Sequence, residues 1–264
     1  MIQLNDDDVP LISVVITTYN YATFLPKAVH SVLSQTYSKV ELIIIDDGSE
    51  DNTSSIIEDS WNVKYFYQEN KGLSTARNVG FEKSSGTYIV FLDADDWFLP
   101  DALEKNYLAI KDKPQVAFTS GSYYLLPAGS SKSNPISVSV TGDHYVRLLQ
   151  SNYIGMHAAV MYQRWVFYEF KFDETLKACE DYELYLAIAR KHCIHHHEAF
   201  IATYYFHSSG MSHNYQLMID AIHTVLKKQS PFIDSPAKAR AYEKGLQQWK
   251  EYAHLLQIKS LPEF

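Results

Sequence analysis

Three short apolar runs in this chain each break off at a polar cluster. Leu11-Ile12-Ser13-Val14-Val15-Ile16 runs into Thr17-Thr18-Tyr19-Asn20, and Val40-Glu41-Leu42-Ile43-Ile44-Ile45 into Asp46-Asp47-Gly48-Ser49. Tyr88-Ile89-Val90-Phe91-Leu92 runs into Asp93-Ala94-Asp95-Asp96. Short β-branched runs joined by helical stretches predict an α/β fold with a mostly parallel central sheet flanked by helices. Ligands of such sheets lie beyond the carboxyl ends of the strands, where the three clusters fall. The first half predicts strands at 11–17, 40–46, 63–67, 87–92 and 115–119, and helices at 24–35, 52–60, 73–84 and 100–111. Asp51-Asn52-Thr53 and Pro100-Asp101 are start signals for two of those helices.

The pattern changes near residue 120. Gly121 to Thr141 is rich in Ser, Gly and Pro and lacks helical periodicity, which predicts hairpins or a loop. Beyond it the pattern predicts a helix near 142–151, a strand near 154–161, a helix at 180–191, a strand at 194–206 and a helical tail from 214. Four segments follow: a loose lead-in over 1–10, an α/β half over 11–120, a second half over 121–213 and a helical extension over 214–264.

At 264 residues, 46% hydrophobic and 20% charged, the composition is that of an ordinary globular protein. The net charge of −8 excludes a general nucleic-acid binder, which needs a basic face. Most of the 20 Tyr and 13 Phe are expected in core packing. Cys179 and Cys193 give no disulfide framework and suit a reducing compartment. No apolar stretch reaches membrane-span length and the polar start does not read as a signal peptide, so a cytoplasmic location is expected.

The chain has neither a Gly-x-Gly-x-x-Gly turn nor a Walker loop to cradle phosphate. The other way to hold a diphosphate is Mg²⁺ or Mn²⁺ on carboxylates. Asp93-x-Asp95 suits that role, with one carboxylate on the metal and the other on a ribose hydroxyl. A simple cap for the helix after Pro100 competes with this reading, as a plain turn does for Asp46-Asp47-Gly48-Ser49.

In order and spacing, these clusters resemble glycosyltransferase family 2. The resemblance rests on Thr17-Thr18-Tyr19-Asn20, Ser34-Gln35-Thr36-Tyr37, Glu41 to Ser49, Asn70-Lys71-Gly72-Leu73-Ser74-Thr75-Ala76-Arg77-Asn78 and Phe91 to Asp96. It is dense over 11–120, patchy from 150, and returns at 172–212. It implies a GT-A fold, a nucleotide-sugar donor, and inversion at the anomeric carbon. On that basis 11–120 is the donor half and 121–213 the acceptor and catalytic half. Thr17, Tyr19 and Asn20 would belong to the donor site, with Tyr19 stacked on a uracil-type base and Asp47 accepting a hydrogen bond from it. Arg77 would be an anion clamp near the base or diphosphate, or a partner of the acidic cluster. Asp93 would reach the ribose and Asp95 the metal, Mn²⁺ or Mg²⁺.

Phe172-Asp173-Glu174 followed by Glu180-Asp181-Tyr182-Glu183 resembles the family's second acidic motif. There Asp181 would be the general base and Glu180 a neighbour that orients or tunes it, against a competing reading as helix caps. His207, in Tyr205-Phe206-His207-Ser208-Ser209-Gly210-Met211-Ser212, which resembles a later family pattern, would reach the metal or diphosphate, with His213 as second candidate. The run His195-His196-His197 invites a zinc assignment, but strand alternation would send its rings to opposite faces.

Residues 121–175 are expected to line the acceptor side, with Tyr153, Met156, His157 and Tyr162 as walls. In the tail, Tyr242, Leu246, Trp249, Tyr252, Leu255 and Leu256 recur at helical spacing beside Lys244, Lys250 and Lys259. Three roles suit that helix: packing on the domain, pairing in a homodimer, or contact with the inner membrane face near a lipid-linked saccharide acceptor. The reading as a whole is an inverting, metal-dependent transferase of a sugar, from a UDP-sugar to a saccharide hydroxyl in polysaccharide or glycoconjugate synthesis. A nucleotidyltransferase on a related sheet and a catalytically silent nucleotide-sugar binder are the alternatives. Against the first stands the lack of a basic glycine-rich loop after the first strand; against the second, the presence of Asp93, Asp95 and Asp181.

Overall fold

The computed structural model describes residues 9–57 and 61–259, of which 252–259 are described as helical backbone only. The first half contains β1 (Ile12–Thr18), α1 (Leu25–Leu33), β2 (Val40–Asp46), β3 (Val63–Tyr67), α2 (Leu73–Lys83), β4 (Tyr88–Asp93), β5 (Trp97–Phe98) and α3 (Ala102–Ile110). The second contains β6 (Val116–Pro127), β7 (Asn134–Ile136), α4 (His144–Gln150), β8 (Val160–Gln163), α5 (Val166–Glu169), α6 (Glu180–Ala189), β9 (Cys193–Phe206), α7 (Tyr215–Gln229) and α8 (Pro236–Lys259). The described strands form one sheet in the order β3-β2-β1-β4-β8-β6-β9-β5, with β7 attached to β6. Strands β1 to β4 pair in parallel, β8 runs antiparallel to β4 and β6, and β9 lies parallel to β6.

The apolar runs are continuous because helices cover both faces of the sheet. Val15, Ile43, Ile45 and Phe91 point to one side and join the cluster that packs α2, α4, α6 and α7. Val14, Ile16, Leu42, Ile44, Val90 and Leu92 point to the other, against α1 and α3. In α1 the buried positions Leu25, Ala28, Val29 and Val32 recur at helical spacing and make the stripe that meets the sheet. Helix α2 comes unusually close. A Cβ on Gly80 would lie 2.3 Å from Val15 Cγ1, so only glycine admits this approach. Arg77 sits on the same buried face, one turn earlier.

Several expected elements are revised. The helix expected at 52–60 is a single 3₁₀ turn at Thr53–Ile56, and 58–60 lie outside the described residues. Of the hairpins or loop expected after 120, a hairpin is found: β6 runs on to Pro127 and pairs with β7, and its backbone gains partners on β9 as well. The strand expected at 154–161 starts late. Gly155 takes a left-handed φ of 76°, a 3₁₀ turn covers His157–Ala159, and β8 begins only at Val160. Asp101 does not cap α3; its carboxylate pairs with Lys105 at 2.8 Å.

The helical tail is broken between α7 and α8 at a 3₁₀ turn, Ser230–Phe232, by Pro231 and Pro236, which lack the N–H a continuous helix needs. Tyr242, Leu246 and Trp249 pack against the main core, and a Cβ on Gly245 would lie 2.1 Å from the Leu149 carbonyl oxygen. The described part of α8 is therefore a packed helix; Tyr252, Leu255, Leu256 and Lys259 lie outside the residues whose side chains are described. Residues 1–8 of the expected lead-in are likewise outside, and Val9 is buried. Among the described residues no helix is long and apolar enough to cross a membrane.

Candidate active site

The parallel register sets Thr17 beside both Ile45 and Asp93, and Thr18 beside Asp46, so the ends of β1, β2 and β4 meet at one edge. A cavity of about 500 Å³ opens there. Its floor is Thr17, Thr18, Asp47 and the β4 end, and its far wall is the first turn of α6. Thr17, Tyr19, Asp47, Arg77, Asp93, Asp95, Glu180 and Asp181 all line it, so most of the expected site comes together from five separate parts of the chain.

Tyr19 keeps its ring 46% exposed at the rim, free to cover a flat ligand. Asn20 is not part of the lining. It adopts a left-handed φ of 57°, and its side-chain oxygen accepts from the Glu50 N–H at 2.7 Å, tying the β1 and β2 loops together. Asp47 is buried and already accepts from Gln68 Nε2, the Lys71 N–H and the Gly72 N–H at 2.7, 3.0 and 2.7 Å. A carboxylate has about four acceptor positions, which leaves it one for a ligand.

Three acids crowd the end of β4. Asp93 accepts from Arg77 Nη2 at 2.6 Å and keeps a third of its side chain exposed. Asp95 Oδ2 lies 2.9 Å from His207 Nε2. Asp96 is buried and accepts the Tyr205 N–H at 2.9 Å. Burial, then the charge of Asp93, pushes the Asp95 pKa up; burial, then Asp95 and Asp93, pushes that of Asp96 up much further. Such a cluster holds more negative charge than its neighbours neutralise.

His207 stands behind this cluster rather than in the cavity lining. Its ring is stacked on Tyr205 and packed against Phe24, Nδ1 lies 2.8 Å from Ser209 Oγ, and Nε2 faces Asp95. Its direct partner is thus the Asp95 carboxylate, where contact with the metal or diphosphate was the expectation. His213 stacks on Phe206 and is not in the lining either.

Arg77 is buried to 2% and is held by two acids at once, Asp93 on β4 and Glu180 on α6. Of its two expected roles, the structure realises the partner of the acidic cluster. Asp181, one residue on, faces the cavity and is partly accessible. Its Oδ1 accepts the Tyr182 N–H at 2.6 Å. Burial, then the charge of Glu180, pushes its pKa up to about 7, while Arg77 pulls the other way. The turn that presents these acids passes through Cys179 at a left-handed φ of 57°, a conformation that costs about 1–3 kcal/mol for a residue with a side chain.

The donor set fits a hard divalent cation. Asp93 and Asp95 offer carboxylate oxygens at the cavity, and no third His, Cys, Asp or Glu completes a closed cage among the described residues. Mg²⁺ and Mn²⁺ bind by one or two carboxylates with phosphate oxygens and water filling the remaining positions, and this arrangement suits that pattern. The other histidine run is occupied elsewhere. His195, His196 and His197 lie against Thr119, Ser120 and Asn106 at 3.0, 2.8 and 2.9 Å.

On the acceptor side Met156 and His157 line the cavity as expected, but Tyr153 and Tyr162 do not. Both are core residues; Tyr162 packs with Phe118 and Phe167, and Tyr153 meets His144 and His196. Several lining residues had no role assigned from sequence: Lys71, Leu176, Lys177, Met211 and Met218. Lys71 lies inside the Asn70-Lys71-Gly72 motif and Met211 inside the Tyr205 to Ser212 stretch, which were the available signals; the other three follow no pattern.

Residues 13–171 match the family profile described as glycosyl transferase family 2. The chain belongs to this family. An uncharacterized glycosyltransferase of Rickettsia conorii is 35% identical over 187 residues, 69% of this chain and 31% of that protein. The chain thus spans about a third of that relative's length. Among solved structures, TarS of Staphylococcus aureus in complex with UDP has a TM-score of 0.66 at 18% identity, covering 89% of this chain and 70% of TarS. A mannosyltransferase from Pyrobaculum calidifontis in complex with GDP-Man and Mn²⁺ has a TM-score of 0.65 at 17% identity, covering 95% of this chain and 72% of that one. The fold is the GT-A fold of these glycosyltransferases.

Proposed function

We propose that this family 2 chain transfers a sugar with inversion from a UDP-sugar to a saccharide or lipid-linked saccharide hydroxyl, with a divalent cation on the donor. One observation carries the reading: Asp93 and Asp95 from the end of β4 and Asp181 from the start of α6 line a single cavity. Tyr19 covers the base and Asp47 uses its remaining lone pair to accept from it. Asp93 binds a ribose hydroxyl through the oxygen not taken by Arg77. Asp95, with its neighbour Asp93, would hold Mn²⁺ or Mg²⁺, which supplies positive charge to the departing diphosphate. His207 fixes the rotamer of Asp95.

On the other wall Asp181 takes the proton of the acceptor hydroxyl at Oδ2, since Oδ1 is held by the Tyr182 N–H. As that O–H bond breaks, the acceptor oxygen bonds to C1 of the sugar from the face opposite the C1–O bond to the diphosphate, which breaks in turn. A base with a pKa of about 7 is half ionised near neutrality and still takes a proton effectively. Leu176, Lys177 and Met218 flank this side as the ground for the acceptor.

The test is a panel of nucleotide sugars with Mn²⁺, read by hydrolysis and calorimetry. Turnover of a UDP-sugar, with nucleotide affinity that falls in EDTA, is expected. Equal binding without metal, or no nucleotide binding at all, overturns the proposal.

A further inference from the structure

We infer that Arg77 is a positioning residue which ties the base-bearing turn of α6 to the donor-binding end of β4, and so sets where Asp181 stands relative to C1 of the sugar. This rests on the transferase reading above and extends it to a residue that touches neither substrate.

The geometry is specific. The guanidinium of Arg77 divides its two terminal nitrogens between two walls, Nη1 to Glu180, 103 positions on in sequence, and Nη2 to Asp93, 16 positions on. Both arms are buried on the arginine side, and Glu180 is itself 5% exposed. Glu180 and Asp181 are the first two residues of α6, so a fixed Glu180 fixes the direction in which the next carboxylate leaves the helix. No backbone hydrogen bond of a sheet links α6 to β4; the sheet neighbours of β4 are β1 and β8. Arg77 is anchored from behind by the Gly80 contact with Val15 and by Phe172, over whose ring its guanidinium lies. A planar fork suits this task and a lysine does not, because one ammonium cannot hold two acids in fixed directions. Its Nε, buried and without a hydrogen-bond partner in the described structure, shows that the side chain is oriented by the two acids and not by a full set of local contacts.

A scaffold role alone would lower every rate alike. A bridging role predicts more, since Arg77 and its partner Glu180 act on Asp181 with opposite sign. The groups facing Asp181 are Glu180 on its own helix, Arg77 on α2 and Asp93 on β4, with the phenols of Tyr123, Tyr162 and Tyr185 around them. Removing the arginine charge leaves the acids unopposed and favours the protonated base. Removing the Glu180 charge leaves the arginine unopposed and favours the ionised one.

The experiment uses the full chain and the nucleotide sugar that turns over fastest in the panel, with hydrolysis followed from pH 5 to 9 and UDP–Mn²⁺ affinity measured for each protein. Glu180→Gln should shift the rising limb of the pH–rate profile to lower pH, and Arg77→Met should shift it to higher pH, each by about one unit. The double variant should return the limb close to that of the parent. In all three kcat should fall roughly 10–10³-fold while KM and UDP affinity change less than about fivefold, because a misplaced base costs rate without costing binding. Arg77→Lys should restore folding but not kcat. Limbs that stay in place in both single variants overturn the inference, as does full activity in Arg77→Lys. Should Arg77→Met fail to fold, Glu180→Gln and Arg77→Lys decide the matter. Failure of the parent protein to bind UDP would instead strike the transferase reading, so the two outcomes are distinguishable.

Discussion

On the β4 side of the cavity Asp93, Asp95 and Asp96 sit within four positions, and among the described residues Arg77 and His207 are the basic side chains paired with them. On the α6 side Asp181 feels Glu180 first and Asp93 less, and Arg77 pairs with both of those acids. Burial is the first cause of the raised carboxylate pKa values on both sides, with neighbouring acids second, but the ends differ. Crowding on β4 leaves an excess of negative charge that a cation relieves. Burial on α6 leaves one carboxylate near neutrality, ready to exchange a proton. The same residue type serves as ligand on one wall and as base on the other because the surroundings differ.

The comparison breaks most decisively at Asp181. Asp181→Asn keeps size and can still accept the Tyr182 N–H, but it cannot take a proton, so transfer should fall by roughly 10²–10⁴ with UDP binding retained. A variant that transfers near the parent rate would reduce α6 to an ordinary capped helix. Next comes Asp95→Ala. Calorimetry in Mn²⁺ should show UDP affinity down by about 10²–10³, with EDTA having little further effect, as expected when several kcal/mol of metal–phosphate interaction is lost. Unchanged affinity would remove the β4 wall from the metal site. His207→Gln should be milder, with metal-dependent affinity reduced about 10–100-fold, the range for losing a partner that orients a ligand. A loss as large as that of Asp95→Ala would make the imidazole a ligand in its own right.

The pH dependence separates the walls again. Hydrolysis should rise about tenfold per unit up to pH 7 and then level, following ionisation of Asp181. Stability should run the other way. A carboxylate whose pKa is raised on folding binds its proton more tightly in the native state, so the contribution of Asp181 falls as pH climbs from about 4 towards 7. Denaturant midpoints across that window measure it, and Asp181→Asn should flatten the slope. The smallest effect on chemistry and a purely structural one belongs to Gly80→Ala, which forces α2 off β1 and should cost about 1–3 kcal/mol of stability. Because Arg77 rides on α2, a loss of kcat larger than the stability loss explains would show that the spacing of the helix matters to the site.

Much of the donor side was legible in the linear chain. Val40–Asp46 and Val63–Tyr67 are strands over the residues their patterns marked, and the acids that follow β2 and β4 fall at the strand ends because parallel pairing leaves them nowhere else. The acceptor side was far less so. Tyr153 and Tyr162 read as walls and are core, since an aromatic run does not say which face of an irregular segment is turned inward. Asn20 belongs to the right motif but ties its loop to the one after β2, from a left-handed turn that Asn readily adopts. Lys177 and Met218 entered the cavity unannounced, brought there by a loop and by α7 with no periodicity to betray them.

The sequence alone determined what depends on near neighbours. Alternation and helical stripes fix the elements, the buried runs fix a sheet covered on both faces, and the acids at the strand ends fix the charge of the site. Tertiary structure alone decided what depends on approach across the fold. Arg77 joins Asp93 to Glu180, the latter 103 positions on from Arg77, only because Gly80 lets α2 settle against Val15 and because Cys179 bends the chain into α6. His207 meets Asp95 only because β9 returns beside β5 and β6. A buried charge must find its partner wherever packing delivers one, and packing is a property of the whole sheet and its helices rather than of any stretch of sequence.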